Sequence, residues 1–313
     1  MNLIEQIVKE QKFLILDGAL GTQMQKNGND INDSLWSAKF LSKDPESIAY
    51  VHKEYLEAGA DCIITSSYQA SFEGFIKKGF TQEEAKNLIQ LSITLAQKQR
   101  DIFWNNLEDK NNRIKPLVAA SIGPYGAYLA NGSEYTGIYD ITKNELKNFH
   151  KKRVQTILET KPDILACETI PSLSEAKIIC EELKKLTNTP SWISFSAKNE
   201  SYTNSGDDIL ECFSWLDKQN HISAVGINCT SPEFISQLIE KIKSVTNKPI
   251  VIYPNAGFKY NAITKQWENS DSNPEDFAKM AYLWYKQGAS LIGGCCQTGP
   301  KEIEYIRTYL KKI

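Results

Sequence analysis

The sequence predicts an α/β protein with a single domain over residues 1–313, folded as a (β/α)8 TIM barrel. Three observations support this prediction. Eight short segments are almost continuous in Ile, Val, Leu and Ala, which is typical of parallel strands buried on both faces. Segments with helical spacing of apolar residues lie between them, and eight such units suit a barrel of this length. No low-complexity linker divides the chain.

The eight predicted strands follow one another along the whole chain. They are FLILD (13–17), DCIITS (61–66), PLVAAS (116–121), DILACE (163–168), WISFSA (192–197), SAVGINC (223–229), PIVIYPN (249–255) and SLIGGC (290–295). In a barrel of this kind the strands are parallel, and their carboxyl ends open onto the face that holds the functional residues.

Helix signals occur between the strands. The predicted helices include 45–60, 172–186, 235–245 and 274–289. The first begins with Pro45 in its opening turn and stops at Gly59, as helices commonly do. The second opens with Ser172 followed three residues later by Glu175, which is a capping signal. The segments EAGADCIIT and KQGASLIGG also repeat one helix–glycine–strand junction, as expected of repeated βα units.

Composition and charge limit the possible partners. The chain has 36 Lys and Arg against 38 Asp and Glu, a net charge of −2, without the basic block that nucleic acid requires. It has no apolar run of about 18 residues, and its charged N-terminal segment does not resemble a signal peptide. We therefore expect a cytoplasmic protein with no nucleic-acid or membrane partner, whose seven cysteines are reduced thiols.

The polar residues at the predicted strand ends form a short group of candidates for chemistry. They are Asp17-Gly18, Ser66-Ser67-Tyr68, Ser121-Ile122-Gly123, Glu168-Thr169, Asn228-Cys229, Asn255-Ala256-Gly257 and Cys295-Cys296. Because all strand ends of a barrel meet on one face, we expect the functional site to come from this group.

Three of the seven cysteines fall at strand ends: Cys229 after the sixth strand, and Cys295 and Cys296 after the eighth. Three converging thiolates would make a zinc site with one open position; buried thiols and a redox pair are the alternatives. Adjacent residues of a regular strand point to opposite sides, so the strand must deform for both cysteines to bind one ion. Gly293 and Gly294 offer the backbone freedom for this deformation.

The charge of such a site predicts the kind of reaction. A zinc ion held by three thiolates carries a net negative charge, which disfavours activation of water but leaves a fourth thiolate able to attack carbon. Attack on a sulfonium methyl expels a neutral thioether and needs no general acid. His52, His150 and His221 lie away from the strand ends, and no Ser-His-Asp, HExxH or Walker pattern is present. We expect no catalytic residue beyond the metal ligands.

Two carboxylates, Asp17 and Glu168, end apolar strands and should be partly desolvated and in need of partners. They would bind a substrate ammonium group, or else cap a helix or accept from loop amides. The backbone N–H groups of Gly18 and Ala19 could bind a carboxylate. Together these groups would hold an amino acid by both ends while its side-chain thiol reaches the metal.

Seven motifs, in order along nearly the whole chain, resemble those of the homocysteine S-methyltransferases. They are LDGALGTQMQ (16–25), SSYQAS (66–71), ASIGPYGAYLANGSEYTG (120–137), CETIPSLSEA (167–176), GINCTSPE (226–233), YPNAGFKY (253–260) and GGCCQTGP (293–300). The pairing of GINC with GGCC is specific. The resemblance implies a zinc-dependent, homocysteine-binding (β/α)8 barrel that methylates homocysteine to methionine, with Cys229, Cys295 and Cys296 as the zinc ligands.

The resemblance also implies contacts for the small-molecule substrates. It assigns the homocysteine ammonium to Asp17 and Glu168, in agreement with the reasoning from the residues alone. Asn228, beside the first ligand, is expected to support that ligand or to contact substrate. Trp36 and Tyr68 are candidates for the wall of the methyl-donor site, since a sulfonium or quaternary ammonium favours aromatic faces; buried aromatics in the core are the alternative.

The choice of methyl donor rests on the same resemblance. The chain shows no folate or cobalamin module and no C-terminal extension of the kind associated with betaine-dependent relatives. It looks most like enzymes that use S-methylmethionine, often with S-adenosylmethionine as a poorer donor. The segment Gln297-Thr298-Gly299 departs from the Arg-Thr-Thr expected there, so the contacts of that loop should differ.

Other functions remain open from the sequence. One is a betaine-dependent homocysteine methyltransferase. Another is a metal-free barrel enzyme that binds phosphate through Asn255-Ala256-Gly257 and Gly293-Gly294. A third is a non-catalytic zinc-binding or thiol-sensing protein. The sequence leaves open the oligomeric state, and whether selenohomocysteine or another thiol or selenol is also an acceptor.

Overall fold

A sheet of eight parallel strands lies at the centre of the protein. The structure, a computed structural model, describes residues 1–111, 113–257, 260–261, 266–267 and 273–312. The strands are β1 (Leu14–Ile15), β2 (Cys62–Ile64), β3 (Leu117–Ile122), β4 (Ile164–Ile170), β5 (Ser191–Phe195), β6 (Ala224–Asn228), β7 (Ile250–Tyr253) and β8 (Ala289–Ile292). All eight predicted strands are confirmed.

The sheet closes into a barrel. Neighbouring strands follow the order β1-β8-β7-β6-β5-β4-β3-β2, and a parallel bridge between Leu16 and Cys62 joins the two ends. Across this seam the Asp17 N–H donates to the Cys62 carbonyl at 3.1 Å. The predicted (β/α)8 TIM barrel is therefore confirmed. A separate two-stranded antiparallel hairpin pairs Tyr260–Asn261 with Gln266–Trp267.

Helices surround the barrel. They are α1 (Leu3–Gln11), α2 (Leu20–Lys26), α3 (Phe40–Lys43), α4 (Pro45–Ala58), α5 (Phe72–Lys77), α6 (Gln82–Asn106), α7 (Tyr125–Leu129), α8 (Lys143–Leu158), α9 (Leu173–Leu186), α10 (Ile209–Asp217), α11 (Ile235–Val245), α12 (Pro274–Gln287) and α13 (Pro300–Leu310). Short 3-10 turns span Trp36–Lys39, Ser133–Tyr135 and Pro232–Phe234. In the described part of the chain, no helix is long and apolar enough to cross a membrane.

The helix signals of the sequence act largely as expected. Pro45 opens α4, and Gly59 ends it with a φ of 110° in the left-handed region. Ser172 caps α9 by accepting from the Glu175 N–H at 3.2 Å. The Glu175 carboxylate does not complete a capping box, because it instead accepts from the Tyr125 N–H and contacts His150. Glu175 therefore links α9 to Tyr125 of α7 and to His150 of α8.

The apolar side chains form two layers. Alternate strand residues, among them Leu16, Trp192 and Leu291, fill the inside of the barrel, and Ile4 and Ile7 of α1 pack against the same cluster. The other strand residues face the helices and form the larger cluster between the barrel wall and its surrounding shell. Nearly every strand residue is buried, which explains why the strands are continuous in apolar character.

Candidate functional site

Three cysteine sulfurs cluster at the carboxyl ends of β6 and β8. The Sγ atoms of Cys229, Cys295 and Cys296 all lie within 4.8 Å of one another, and the separation between Cys229 and Cys296 is 3.7 Å. Cys229 is buried and the other two are half-buried. Three sulfur donors at these distances could hold one metal ion.

Backbone contacts between the ends of β6, β7 and β8 bring these cysteines together. Cys229 follows β6 with a φ of 49°, and its N–H donates to the Tyr253 carbonyl at 3.2 Å. The Cys295 N–H donates to the Pro254 carbonyl at 2.7 Å, and the Cys296 carbonyl accepts from the Ala256 N–H at 3.0 Å. The cysteines are thus held by the loop that follows β7 as well as by their own strands.

The eighth strand is shorter than predicted. It ends at Ile292, so Cys295 and Cys296 lie in a turn rather than on a deformed strand. Gly293 and Gly294 do not supply a positive φ there. A Cβ on Gly293 would lie 2.6 Å from the Asp17 carbonyl oxygen, so this position requires glycine for close packing. The left-handed residue of the turn is Gln297, with a φ of 67°.

The loop that departs from the expected Arg-Thr-Thr makes its own contacts. The Gln297 N–H donates to Thr22 Oγ1 at 3.3 Å, which ties the turn to α2. The N–H and hydroxyl of Thr298 both donate to the Cys295 carbonyl, at 3.0 and 2.6 Å. Thr298 therefore closes the turn that presents Cys295.

The three thiols differ in the direction of their pKa shifts. Hydrogen bonds from Cys295 and Cys296 lower the pKa of the Cys229 thiol well below its ordinary value. The hydrogen bond to Cys229 in turn raises the pKa of Cys295 and Cys296. The cluster stabilises one thiolate, but three thiolates this close would repel one another. Ionising all three therefore requires a cation.

Asp17 lies immediately after β1 and is 1% exposed. Its Oδ2 accepts from the Ile64 N–H at 2.8 Å, while its Oδ1 is buried with no hydrogen-bond partner among the described residues. Burial raises the pKa of Asp17 well above its usual range, and the charge of Glu168 raises it further. An unsatisfied buried carboxylate oxygen is costly, which is the expected state of a group that binds a cationic substrate.

Glu168 lies on β4 with both carboxylate oxygens engaged. Oε1 accepts from the Ser121 hydroxyl, and Oε2 accepts from the Tyr253 hydroxyl at 3.0 Å. Burial raises the pKa of Glu168 to about 7, although these two hydrogen bonds oppose the shift. No lysine or arginine within the described ranges forms an ion pair with Glu168 or Asp17. The two buried acids thus lie close enough for the charge of Glu168 to act on Asp17, and Glu168 lies close enough to Cys229 for the charge of that cysteine to raise its pKa.

Asn228 connects two strands behind Cys229 and is fully buried. Its Oδ1 accepts from the Thr169 N–H at 2.7 Å and from Ser194 Oγ at 2.8 Å, and its Nδ2 donates to Thr169 Oγ1 at 2.7 Å. Thr169 has a φ of 57°, unusual for a β-branched residue. Asn228 therefore stabilises the strained backbone that follows Glu168, which favours a supporting role over a substrate contact.

Of the two backbone N–H groups expected to bind a carboxylate, those of Gly18 and Ala19, one already has a hydrogen-bond partner. The Ala19 N–H donates to the Thr298 carbonyl at 3.2 Å, so it is already engaged. A Cβ on Gly18 would lie 2.9 Å from Thr298 Oγ1 and from the Tyr55 hydroxyl oxygen, which makes glycine necessary at this position. Of the two residues, Gly18 remains the candidate.

The two aromatic candidates differ in position. Tyr68 is half-buried, and its hydroxyl is close enough to Thr169, Cys229 and Glu134 for all three to influence its pKa. Trp36 is half-buried, has a φ of 48°, and packs across Gly21 of α2, where a Cβ would overlap its indole ring. Tyr68 thus lies near Cys229, whereas Trp36 packs against the helix that carries Thr22.

Several residues around the site were missed by the sequence reasoning. The Tyr135 hydroxyl lies 3.5 Å from Cys229 Sγ, and it comes from a loop with no periodic signal. Tyr253 belongs to the seventh predicted strand and to the motif YPNAGFKY, but neither assigns it a role, although its hydroxyl contacts Glu168, Trp192 Nε1 and Ser194 Oγ. Ser121 stood among the strand-end residues, but its role as a donor to Glu168 required the register of β3 with β4.

The three histidines take no part in the cluster, and the glycine-rich loops support it without offering a phosphate site. His52 and His150 are buried in helices, and His221 Nε2 contacts the Cys180 carbonyl at 3.0 Å. The Asn255 and Ala256 N–H groups donate to the carbonyls of Thr230 and Cys296, so they are not available to bind phosphate. Phe258 and Lys259 of the YPNAGFKY motif lie outside the described residues.

Comparison with known proteins identifies the family of this chain. The family model for homocysteine S-methyltransferases matches residues 14–310. Homocysteine S-methyltransferase YbgG of Bacillus subtilis (strain 168) is 48% identical over 313 residues, covering 100% of this chain and 99% of that protein. Homocysteine S-methyltransferase 3 of Zea mays is 47% identical over 305 residues, covering 96% of this chain and 90% of that protein.

Solved structures give the same result. The homocysteine methyltransferase MmuM from Escherichia coli in its metallated form superposes with a TM-score of 0.86 at 36% identity, covering 98% of this chain and 99% of that chain. Its oxidized form superposes with a TM-score of 0.88 at 35% identity over the same shares. The chain therefore belongs to the homocysteine S-methyltransferase family and is an enzyme of that kind.

Proposed function

We propose that this protein transfers a methyl group from S-methylmethionine to the thiolate of L-homocysteine, giving methionine, with a zinc ion held by Cys229, Cys295 and Cys296. The observation that supports it most is the position of these three sulfurs beside two buried acids with no basic partner within the described ranges. We propose the barrel over residues 1–313 as the homocysteine-binding unit.

The three cysteine thiolates suit zinc better than a hard cation. Three soft thiolate ligands with one open position are typical of a catalytic zinc site, whereas Mg²⁺ and Ca²⁺ prefer oxygen. When bound, zinc would supply the positive charge that keeps both the cysteines and a substrate thiol ionised at neutral pH. The turn closed by Thr298 keeps Cys295 and Cys296 in place for this role.

Asp17 and Glu168 together provide a site for the homocysteine ammonium. Asp17 Oδ1 is a buried acceptor with no donor among the residues that the structure describes, and an ammonium group would satisfy it. Glu168, held by Ser121 and Tyr253, would share the same cation. The Gly18 N–H lies beside Asp17 and would bind the substrate carboxylate. With both ends held, the substrate thiol is directed toward the cysteine cluster.

Methyl transfer to homocysteine then needs little proton chemistry. The homocysteine sulfur forms a bond to the methyl carbon as the sulfonium carbon–sulfur bond breaks, and the electron pair of that bond stays on the leaving thioether. With S-methylmethionine, both products are methionine. Tyr68 and Trp36 would form an aromatic wall for the sulfonium, and S-adenosylmethionine would be a poorer donor.

The donor is tested by measuring methionine formation from homocysteine with S-methylmethionine, S-adenosylmethionine and betaine in parallel. The proposal predicts the highest kcat/KM with S-methylmethionine. A preference for betaine would make this a betaine-dependent enzyme, which contradicts the proposed donor. No methionine from any of the three donors would contradict the proposed reaction.

A further inference from the structure

The loop between α7 and α8 places an acidic residue, Glu134, at the edge of the cysteine cluster. Glu134 lies in the 3-10 turn Ser133–Tyr135, next to Tyr135, whose hydroxyl is 3.5 Å from Cys229 Sγ. Gly126 of α7 lets this turn approach closely, because a Cβ there would overlap the backbone of Ser133 and Glu134. The turn that carries Glu134 is therefore packed closely against α7, and Tyr135 connects it to the cysteine cluster.

One oxygen of this carboxylate lacks a partner. Glu134 Oε2 is buried and has no hydrogen-bond donor within the described part of the chain. Burial and the nearby charge of Cys229 raise the pKa of Glu134, and Glu134 in turn raises the pKa of the Tyr68 hydroxyl. The Glu134 carboxylate is therefore close enough to both Cys229 and Tyr68 for their charges to interact, and its neighbour Tyr135 contacts Cys229 directly.

The loop is anchored on both sides, so the carboxylate is held in advance of binding. The buried Glu175 accepts from the Tyr125 N–H at 2.7 Å and from the Tyr139 hydroxyl at 2.8 Å. Arg153 Nη2 donates to the Gly123 carbonyl at 2.6 Å, just before the loop. A buried acceptor kept in position by such anchors has the character of a binding group rather than of a mobile surface acid.

We propose that Glu134 binds the α-ammonium group of the methyl donor and selects donors that carry one. This proposal rests on the proposed function. Both substrates of that reaction are amino acids, so the site must hold two ammonium groups, and Asp17 with Glu168 accounts for only one. An orphaned carboxylate oxygen requires an N–H donor. An α-ammonium supplies N–H groups, whereas a sulfonium or the quaternary ammonium of betaine has none.

The test compares S-methylmethionine with its deamino analogue, in which hydrogen replaces the α-ammonium group. Both compounds are assayed as methyl donors to homocysteine, and the analogue is also assayed as a competitive inhibitor. In Glu134→Gln the kcat/KM for S-methylmethionine should fall roughly tenfold to hundredfold, the range for losing a charged hydrogen bond, while the constants for the analogue change less than about threefold. Glu134→Asp should show an intermediate loss.

Glu233→Gln is the matched control, since it removes the same charge from an exposed residue that follows β6. It should leave both donors unchanged. An equal fall for both donors in Glu134→Gln, or no fall for either, would overturn the role of Glu134 while leaving the proposed reaction in place. An unmodified protein inactive with every donor would overturn the proposed function, and with it this role.

Discussion

Removing the Tyr253 hydroxyl should change the pH at which the enzyme binds homocysteine. Tyr253 donates to Glu168 Oε2 at 3.0 Å, and this hydrogen bond lowers the pKa of Glu168 against the larger effect of burial. In Tyr253→Phe the burial remains and the hydrogen bond is lost. The pKa of Glu168, about 7 in the native protein, should therefore rise.

The size of the change follows from the kind of hydrogen bond. A hydrogen bond to a charged group contributes about 1.5–3 kcal/mol, which corresponds to roughly one to two pH units. Glu168 must be ionised to bind an ammonium group, so affinity falls as pH drops below its pKa. The acidic limb of kcat/KM for homocysteine should move upward by that amount.

The assay is the pH profile of kcat/KM for homocysteine between about pH 5 and pH 9, at saturating methyl donor. Tyr50→Phe, at an exposed tyrosine of α4, is the matched control and should leave the profile unchanged. Since Trp192 Nε1 also loses its acceptor in Tyr253→Phe, the variant should be confirmed as folded by its Tm. A folded Tyr253→Phe with the native acidic limb would refute the assigned role of Glu168.

Two further predictions concern stability in the absence of substrate. The pKa of Glu168 is raised from 4.5 to about 7, so this carboxyl costs nothing below the lower value, destabilises the fold increasingly as pH rises between the two values, and has its full effect above the higher one. The free energy of unfolding of Glu168→Gln, measured in urea relative to the native protein, should therefore increase by up to roughly 3 kcal/mol between about pH 4 and pH 8; a pH-independent difference would contradict this. Asn228→Ala should lower the free energy of unfolding by roughly 2–5 kcal/mol, since it leaves the buried donors of Thr169 and Ser194 unsatisfied. The exposed Asn106→Ala is its control, and a loss under about 1 kcal/mol for Asn228→Ala would contradict the supporting role.

The barrel was predictable because its strands are buried on both faces. Continuous apolar runs such as DILACE and PIVIYPN can be read without knowledge of their neighbours. The cysteine cluster was also predictable, since the carboxyl ends of parallel strands share one face. Asp17 and Glu168 followed from the same rule, and the structure places both beside the cysteines.

The local geometry was not predictable in the same way. Cys295 and Cys296 lie in a turn whose shape depends on Pro254, Ala256 and Thr298, and these contacts exist only once the strands have paired. The positive φ of Cys229 likewise has no signal in its own neighbourhood. Loop residues such as Glu134 and Tyr135 lack periodicity, so only their packing in the structure brings them to the site.

The proposed methyl transfer depends on a zinc ion held by the three cysteines. The most direct measurement is the metal content of protein purified under reducing conditions, with methionine formation assayed on the same samples. We expect about one zinc per chain and activity in the native protein and in Cys212→Ser, a control in α10, and loss of both in Cys296→Ser. A native protein that forms methionine without metal, or a Cys296→Ser variant that keeps both zinc and activity, would show that the cysteines do not hold a zinc ion needed for methyl transfer.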